Sequence, residues 1–288
     1  MKFVTFTKDG KELPGVITAD GARVHPLEGW CTLAGFIADY EPRGRAVAEA
    51  LAAKDGGYPL ADVKLEAPIP HPRNGVLCVG LNYIAHAIES AAAAGNEYKP
   101  PERPSYFIKR VNRAVGPDGE IPSHSAITQK LDYEVELTVV IGKTCRNVKR
   151  EDAFAHVFGY TVGNDISARE IQRGYNQWAF GKSLDGSAPM GPWIVTIDEF
   201  ECPPALRVTS KVNGELRQDS NTNDFIFDIP HLISELSQGI TLEPGDVIMT
   251  GTPSGVGMGF TPPKFLRAGD VVELEIEGIG KLVNRIVE

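Results

Sequence analysis

Residues 131–142 restrict the fold more than any other segment of the sequence. Successive side chains of a β-strand point to opposite faces of its sheet, so residues two apart share a face. One face of this segment is wholly apolar and consists of Tyr133, Val135, Leu137, Val139 and Ile141. The other face consists of Glu134, Glu136, Thr138 and Val140. The pattern predicts an amphipathic β-strand whose second face carries two neighbouring carboxylates.

Short strands separated by turns make up most of the remaining chain. Glycine contributes 30 and proline 21 of the 288 residues, which fits a fold with many turns. Helical spacing of apolar residues is confined to a few segments, of which the main ones are 32–54, 83–94, 168–177 and 231–237. Many strands with few helices predict an α+β fold, mainly β, built as a mixed β-sandwich or roll rather than a doubly wound sheet.

The first 72 residues are predicted to form a small N-terminal α/β domain with its linker. Strand-like segments alternate with the turn signals Asp9-Gly10 and Asp20-Gly21 before the helical segment begins. The proline-rich stretch 67–72 can continue neither a helix nor a central strand. We therefore place a boundary there, which assigns residues 1–72 to the small domain and residues 73–288 to the large one.

Charge and cysteine content exclude several classes of protein. The chain has 29 Lys and Arg against 38 Asp and Glu, a formal net charge of −9, and no basic run, which argues against nucleic acid as a partner. No apolar run approaches the roughly 18 residues of a membrane-spanning helix, and the N-terminal segment becomes polar too soon for a signal peptide. Four widely separated cysteines without ligand spacing indicate reduced thiols in a cytoplasmic protein.

The carboxylate face of the strand points to a metal site. Glu134 and Glu136 lie about 7 Å apart along the backbone, and paired carboxylates without histidine or cysteine suit a hard cation such as Mg²⁺ or Mn²⁺. Asp165, at the end of the strand-like segment 158–164, is a candidate third ligand. The alternative is a solvent-facing strand edge, with Asp165 as an ordinary helix cap. The repulsion between neighbouring like charges on one face of a strand argues against the solvent-facing edge.

Two further segments carry candidate catalytic groups. His86 and Glu89 are three residues apart on a predicted helix, so they are neighbours on its surface. A carboxylate beside an imidazole orients the ring, which makes His86 a candidate general base. Lys182 follows an aromatic segment and is a candidate for stabilising negative charge in a cavity. The alternatives are a surface His–Glu pair and a solvent-facing lysine.

The segment 250–259 is rich in glycine but lacks the context of a nucleotide-binding loop. Its glycines do not open a helix, and Pro262-Pro263 follows soon after. Two interpretations stay open. The segment is a loop of several turns, or its backbone N–H groups and Thr252 face an anionic substrate.

Taken in order, these segments resemble the fumarylacetoacetate hydrolase superfamily over about residues 75–288. The combination of motifs is specific to the superfamily but does not define one substrate. The matching motifs are VGLNY (79–83), DYEVEL (132–137), GNDISAREIQ (163–172), GKSLD (181–185), GP (191–192), VNGE (212–215), PGDVI (244–248) and GTPSGVG (251–257).

The resemblance implies a role for each candidate residue. It implies a mixed β-sandwich roll, generally dimeric, with the small N-terminal domain of the longer bacterial members. The implied metal ligands are Glu134, Glu136 and Asp165. The implied water-activating pair, on a helix that forms part of a lid, is His86 and Glu89, and the implied active-site lysine is Lys182. The implied substrate contacts are Arg169, Gln172, Thr252 and Lys109.

The leading functional hypothesis is a Mg²⁺- or Mn²⁺-dependent hydrolase that cleaves the C–C bond of an acylpyruvate or 2,4-dioxo acid. Here His86, held by Glu89, activates water, and Lys182 stabilises the oxyanion. The main alternative uses the same site for oxaloacetate decarboxylation, keto–enol isomerisation or hydration. A third hypothesis is a non-catalytic ligand-binding domain. The expected partners are a small oxo acid and a second copy of the chain, without nucleic acid or membrane.

Overall fold

The computed structural model describes the backbone of residues 1–288 and the side chains of residues 1–41 and 43–288. The α-helices are α1 (Leu33–Ala38), α2 (Arg45–Ala52), α3 (Ile84–Ala93), α4 (Arg169–Gly174), α5 (Ala179–Lys182) and α6 (Ile229–Gly239). The first nine strands are β1 (Lys2–Lys8), β2 (Lys11–Ile17), β3 (Arg23–Pro26), β4 (Tyr58–Pro59), β5 (Lys64–Leu65), β6 (Val76–Gly80), β7 (Ser105–Lys109), β8 (Glu120–Pro122) and β9 (Leu131–Asp132). The other strands are β10 (Val135–Ile141), β11 (Val157–Asn164), β12 (Ser167–Ala168), β13 (Met190–Thr196), β14 (Arg207–Val212), β15 (Glu215–Asn221), β16 (Val247–Met249), β17 (Val271–Ile276) and β18 (Gly280–Val287).

Two large sheets face each other across the main core. The larger has eleven strands in the order β4-β3-β2-β1-β13-β11-β10-β16-β6-β7, with β5 paired to β1. The smaller has the order β15-β14-β17-β18-β8, and β9 pairs with β12 in a separate two-stranded ladder. Parallel pairs (β16 with β6, β18 with β8) occur among antiparallel ones. The predicted α+β fold, mainly β and of the mixed sandwich type, is confirmed.

Strand β10 is buried on both faces because it lies in the middle of the larger sheet. Val135 and Leu137 belong to the core cluster shared with β14, β17 and β18 of the smaller sheet. On the opposite face, Val140 packs in a second cluster with Phe3 and Phe158. The apolar alternation therefore predicted the strand correctly, whereas the solvent-facing alternative for its second face is wrong.

The strand predicted at residues 131–142 is interrupted at Tyr133 and Glu134, between β9 and β10. Side chains satisfy the backbone there in place of a strand ladder. The N–H of Tyr133 donates to the carboxylate of Asp132 (3.0 Å), and the N–H of Glu134 donates to Asn164 Oδ1 (3.0 Å). This interruption directs the chain from the small ladder into the large sheet and places Glu134 next to β11.

The helix predicted at residues 32–54 is likewise divided, into α1 and α2 with a π-helical turn, Tyr40–Gly44, between them. The N-terminal strands continue the large sheet, since Phe3 of β1 lies opposite Ile194 of β13. The division of the chain at residues 72 and 73 stays a prediction, because one sheet runs through both parts. No helix among the described residues is both long and apolar enough to cross a membrane.

The Phe3 ring joins aromatic residues of the N-terminal segment and of strand β11 in one core cluster. It is fully buried, and its centroid lies 5.1 Å from that of Phe36 and 5.4 Å from that of Phe158. Replacing it (Phe3→Ala) should lower the free energy of unfolding by about 3–5 kcal/mol, as for other buried aromatic residues. Urea unfolding followed by fluorescence and far-UV circular dichroism measures the loss.

The matched control is Ile240→Ala, since Ile240 is 44% exposed and should cost less than about 0.5 kcal/mol. Because one sheet joins both parts, the two probes should report a single transition. A loss below about 1 kcal/mol for Phe3→Ala, or two separate transitions in the unmodified protein, would contradict this account of how the N-terminal segment is attached.

Candidate active site

Three carboxylates meet inside the protein where β10 and β11 lie side by side. One oxygen from each of Glu134, Glu136 and Asp165 lies within 4.8 Å of the others, and the exposed fractions of these residues are 4%, 2% and 1%. Asp165 follows the end of β11, and its N–H donates to the carbonyl oxygen of Glu134 (3.0 Å). Backbone pairing at the strand ends therefore brings the carboxylates together.

Buried cations surround two of these carboxylates. Lys182 Nζ donates to Glu134 Oε2 (2.8 Å) and to Asp165 Oδ2 (2.6 Å). Lys109 Nζ donates to the second oxygen of Asp165 (2.5 Å). Arg169 Nη2 lies 2.6 Å from Glu134 Oε1. Glu134 and Asp165 are thus compensated by fixed positive charge, which a buried carboxylate requires.

Glu136 differs from Glu134 in its surroundings. Its hydrogen-bond donor is the N–H of Gly251 (2.7 Å), and the described residues offer it no ion pair. Burial, followed by repulsion from Asp165 and Glu134, raises the pKa of Glu136 well above its ordinary value. For Glu134, burial acts in the same direction, but Lys182 and Arg169 outweigh it and lower the pKa.

This arrangement fits a divalent metal ion. The donors are carboxylate oxygens, the ligand type that Mg²⁺ and Mn²⁺ prefer, and the side-chain charges nearest to Glu136 on its strand and at the end of β11 are other carboxylates, while its hydrogen-bond donor is a backbone N–H. A divalent cation would favour the ionised form of Glu136 and balance its charge. The carboxylate triad could therefore hold such an ion, and nothing in the donor set distinguishes Mg²⁺ from Mn²⁺.

Lys182 is a fixed positive charge in this site. Burial favours the neutral amine, but the neighbouring Asp165 and Glu134 carboxylates outweigh it and raise the pKa of Lys182. The side chain is 2% exposed, and Nζ lies 5.1 Å from the centroid of the Phe107 ring. Lys182 is therefore an ammonium at neutral pH, suited to stabilising negative charge rather than to accepting a proton.

His86 and Glu89 form a hydrogen-bonded pair on α3. His86 Nδ1 lies 2.9 Å from Glu89 Oε2, and the other carboxylate oxygen of Glu89 accepts from the N–H of Gly255 (2.8 Å). A carboxylate partner places the proton on Nδ1 and leaves Nε2 as an acceptor. A side chain at position 259 would collide with Glu89, so Gly259 is needed where the helix lies against the loop.

One cavity of about 80 Å³ unites most of the residues singled out in the sequence. Seven of them line it, and these are His86, Glu134, Glu136, Arg169, Gln172, Lys182 and Thr252. Asp165 and Glu89 lie directly behind this lining through their bonds to Lys182 and His86. Lys109 is fully buried and contacts Asp165 and the carbonyl oxygen of Ile166, so it supports the carboxylate triad from outside the cavity lining.

The glycine-rich segment directs backbone N–H groups to carboxylates of the protein, whereas the substrate-facing interpretation predicts that they bind an anionic substrate. The N–H of Gly251 donates to Glu136, and that of Gly255 to Glu89. The N–H groups of Gly257 and Met258 both donate to Asp132 (2.6 and 3.1 Å). These four donors therefore bind carboxylates of the protein. The Thr252 hydroxyl lies at the cavity and donates to the carbonyl oxygen of Val135 (2.9 Å).

Sequence reasoning assigned no role to three polar residues that hold the site together. Asp132 binds Arg169, Asn164 binds the N–H of Glu134, and Gln218 binds both the N–H of Val135 and the hydroxyl of Thr252. Asp132 lies two residues before Glu134 and Asn164 directly precedes Asp165, and this closeness to predicted metal ligands could have indicated their role. Gln218 comes from a distant strand, β15, and nothing in its local sequence indicates its contact.

Comparisons with known proteins agree with the fold. A family model described as Fumarylacetoacetate (FAA) hydrolase C-terminal matches residues 75–287, and one described as Rv2993c-like, N-terminal matches residues 1–68. The chain is 51% identical over 229 residues to oxaloacetate tautomerase YisK of Bacillus subtilis, an alignment covering 80% of this chain and 75% of that protein.

Two solved structures are similar over the whole chain. A fumarylacetoacetate hydrolase from the psychrophile Exiguobacterium antarcticum superposes with a TM-score of 0.85 at 39% identity, covering 100% of this chain and 99% of that one. Maleylpyruvate hydrolase from Sphingobium sp. SYK-6, in complex with manganese(II) and pyruvate, gives a TM-score of 0.78 at 32% identity, again covering 100% and 99%.

The different surroundings of Glu134 and Glu136 predict opposite effects on the metal-free protein. Glu134→Gln leaves Lys182 and Arg169 without their shared carboxylate, so the free energy of unfolding should fall by about 3–5 kcal/mol. The variant should also lose the increase in melting temperature that Mg²⁺ or Mn²⁺ produces in the unmodified protein. Thermal and urea unfolding in chelator, then with added metal, measure both effects.

Glu136→Gln should instead leave the metal-free protein as stable as before or more stable, because it removes an uncompensated buried charge while Gly251 keeps an acceptor. Since the pKa of Glu136 is raised in the folded protein, its ionisation opposes folding as the pH rises above the ordinary carboxyl range. The advantage of the glutamine should therefore grow from pH 5 to pH 8, and metal stabilisation should again be lost.

The surface substitution Glu151→Gln is the control for both variants, because Glu151 is 70% exposed. Equal destabilisation by Glu134→Gln and Glu136→Gln would contradict the charge assignment. Full metal stabilisation in either variant would contradict its place among the ligands.

Proposed function

The chain belongs to the fumarylacetoacetate hydrolase family of enzymes, and on that premise we propose that it interconverts the keto and enol forms of oxaloacetate with a divalent metal ion. The observation that carries the proposal is the shared, compact cavity. The acceptor His86, the cations Arg169 and Lys182 and two carboxylates of the triad, Glu134 and Glu136, line this one cavity of about 80 Å³. Two cations and a candidate metal site beside one acceptor suit a small dicarboxylic oxo acid. The name of the Bacillus subtilis relative supports the same substrate.

Tautomerisation moves one proton, and the protein offers a group for that step. The C3–H bond of oxaloacetate breaks, its proton passes to His86 Nε2, and its electron pair forms the C2=C3 bond with negative charge on the C2 oxygen. That oxygen then takes up a proton from water to complete the enol, and His86 returns the proton it accepted to solvent, so that the overall reaction gains and loses no proton. Glu89 holds the ring through Nδ1 and stabilises the imidazolium that forms.

Positive charge at the site binds the anion and stabilises the enolate. Mg²⁺ or Mn²⁺ held by the triad of Glu134, Glu136 and Asp165 would supply positive charge that polarises a chelated oxo acid. Arg169 Nη2 lies 2.6 Å from Glu134 Oε1, and Arg169 lines the cavity. Its N–H groups outside the contacts with the protein can bind a substrate carboxylate there, and Lys182 adds a second fixed cation.

The direct test follows the ultraviolet absorbance of enol-oxaloacetate after addition of enzyme with Mg²⁺ or Mn²⁺. His86→Asn should lower kcat for tautomerisation by about 10²–10⁴-fold, the usual contribution of a general base. It should leave metal-induced thermal stabilisation intact, because His86 is not a ligand of the triad. His156→Asn is the matched control, since His156 is partly exposed and is not among the residues that line the cavity.

A wild-type protein that does not accelerate the absorbance change would refute the proposed activity. A fully active His86→Asn variant would refute the role of the base. Parallel assays for carbon dioxide and pyruvate measure decarboxylation of the same substrate, which requires no proton transfer to His86 from C3.

Hydrolysis of acylpyruvates is the second candidate function. The similarity to a maleylpyruvate hydrolase supports it, and the same His86–Glu89 pair could activate water. The product distinguishes the two activities. Hydrolysis cleaves an acylpyruvate into two acids, whereas tautomerisation converts oxaloacetate into its enol form without cleavage. The homodimer and the cytoplasmic location expected from the sequence stay predictions, and light scattering of the purified protein tests the first.

A further inference from the structure

Asp132 is the most heavily hydrogen-bonded carboxylate near the cavity. It is fully buried. Its Oδ1 accepts from the N–H groups of Gly257 (2.6 Å) and Tyr133 (3.0 Å), and its Oδ2 accepts from Arg169 Nε (2.8 Å) and the N–H of Met258 (3.1 Å). A carboxylate with both oxygens occupied in this way is held in one orientation and holds its donors in turn.

Arg169 depends on this contact for its orientation. Its Nη1 donates to Gln172 Oε1 (3.1 Å), and its Nε is held by Asp132. Its Nη2 lies 2.6 Å from Glu134 Oε1, and Arg169 lines the cavity. The planar guanidinium therefore has all three nitrogens held by the protein, and the N–H groups that these contacts do not use are available to an anionic ligand.

The same carboxylate also holds the loop that supports the general base. Gly257 and Met258 donate to Asp132, and two residues earlier Gly255 donates to Glu89, the partner of His86. A Cβ at position 257 would lie 2.5 Å from the carbonyl oxygen of Lys264 and 2.7 Å from Asp132 Oδ1, so glycine is required for this close approach. One short segment thus binds the carboxylate behind the arginine and the carboxylate behind the histidine.

We propose that Asp132 is a positioning residue, which aligns Arg169 with the substrate carboxylate and couples that alignment to the His86–Glu89 pair through residues 255–258. The inference rests on the proposed function only in its substrate, since the bonds themselves belong to the protein. Asp132 does not line the cavity among the described residues, so it acts through Arg169 and the loop.

Asp132→Asn tests the first part. An asparagine keeps one oxygen acceptor but cannot serve Arg169 Nε and both loop N–H groups together. The KM for oxaloacetate and the dissociation constant of pyruvate, measured by calorimetry on metal-loaded protein, should rise about ten- to a hundred-fold. Metal affinity should change less than about threefold. Unchanged KM and pyruvate binding would overturn the proposal.

A double-mutant cycle separates positioning from general destabilisation. In an Arg169→Met background, Asp132→Asn should add less than about twofold to the pyruvate dissociation constant, because the group it positions is gone. Independent, multiplying effects would overturn the proposal. Asp246→Asn is the matched control, since Asp246 is 8% exposed and also binds a backbone N–H, that of Glu243, away from the cavity.

Hydrogen exchange tests the coupling to the base. In Asp132→Asn, the amides of α3 should exchange faster than in Asp246→Asn, because residues 255–258 no longer hold Glu89 firmly. Equal exchange in the two variants would overturn the coupling. If Asp132→Asn does not fold, Asp132→Glu retains the charge but displaces the carboxylate by one methylene, and wild-type pyruvate affinity in that variant would overturn the alignment role.

Pyruvate binding keeps the two proposals distinguishable. If the wild-type protein binds pyruvate with metal but does not tautomerise oxaloacetate, the proposed activity fails, and the Asp132 cycle still reports on alignment of Arg169. If oxaloacetate is tautomerised and the cycle is additive, the activity stands and the positioning role fails.

Discussion

The burial of negative charge between β10 and β11 is the constraint on which the rest of the site depends. Glu134, Glu136 and Asp165 lie close together in the protein interior, where unpaired charges are strongly unfavourable. Lys182 and Arg169 compensate part of this charge. The remainder, centred on Glu136, creates the electrostatic demand for a divalent cation. The capacity of the triad to hold a divalent cation thus follows from where the strands place these side chains.

The glycine-rich segment links the separate parts of this site. Its N–H groups contact Glu136 of the metal cluster, Glu89 behind the base and Asp132 behind the arginine. Backbone donors suit this task because they are short and fixed by the chain, and glycine allows a carboxylate to approach closely. One glycine-rich loop therefore sets the relative positions of carboxylates that come from three different segments.

Much of the site could be predicted because its residues carry local signals. The alternation around Glu134 and Glu136 identified a strand with a polar face, and the spacing of His86 and Glu89 identified a pair on one helical turn. The π-helical turn that divides the predicted helix at residues 32–54 was missed, although Pro42 and Gly44 are residue types that interrupt a helix. The interruption before β10 was not predicted either. It depends on the side chains of Asp132 and Asn164, which accept hydrogen bonds from the backbone N–H groups of Tyr133 and Glu134.

The sequence by itself determined the mainly β fold, the burial of one face of β10 and the types of residue available for chemistry, because periodicity and composition depend on near neighbours. Only the tertiary structure decided that the carboxylate face is also buried, which cation pairs with which carboxylate, and that the glycine-rich N–H groups bind Asp132, Glu89 and Glu136. These features require residues far apart in the chain to meet, and local sequence does not encode those distances.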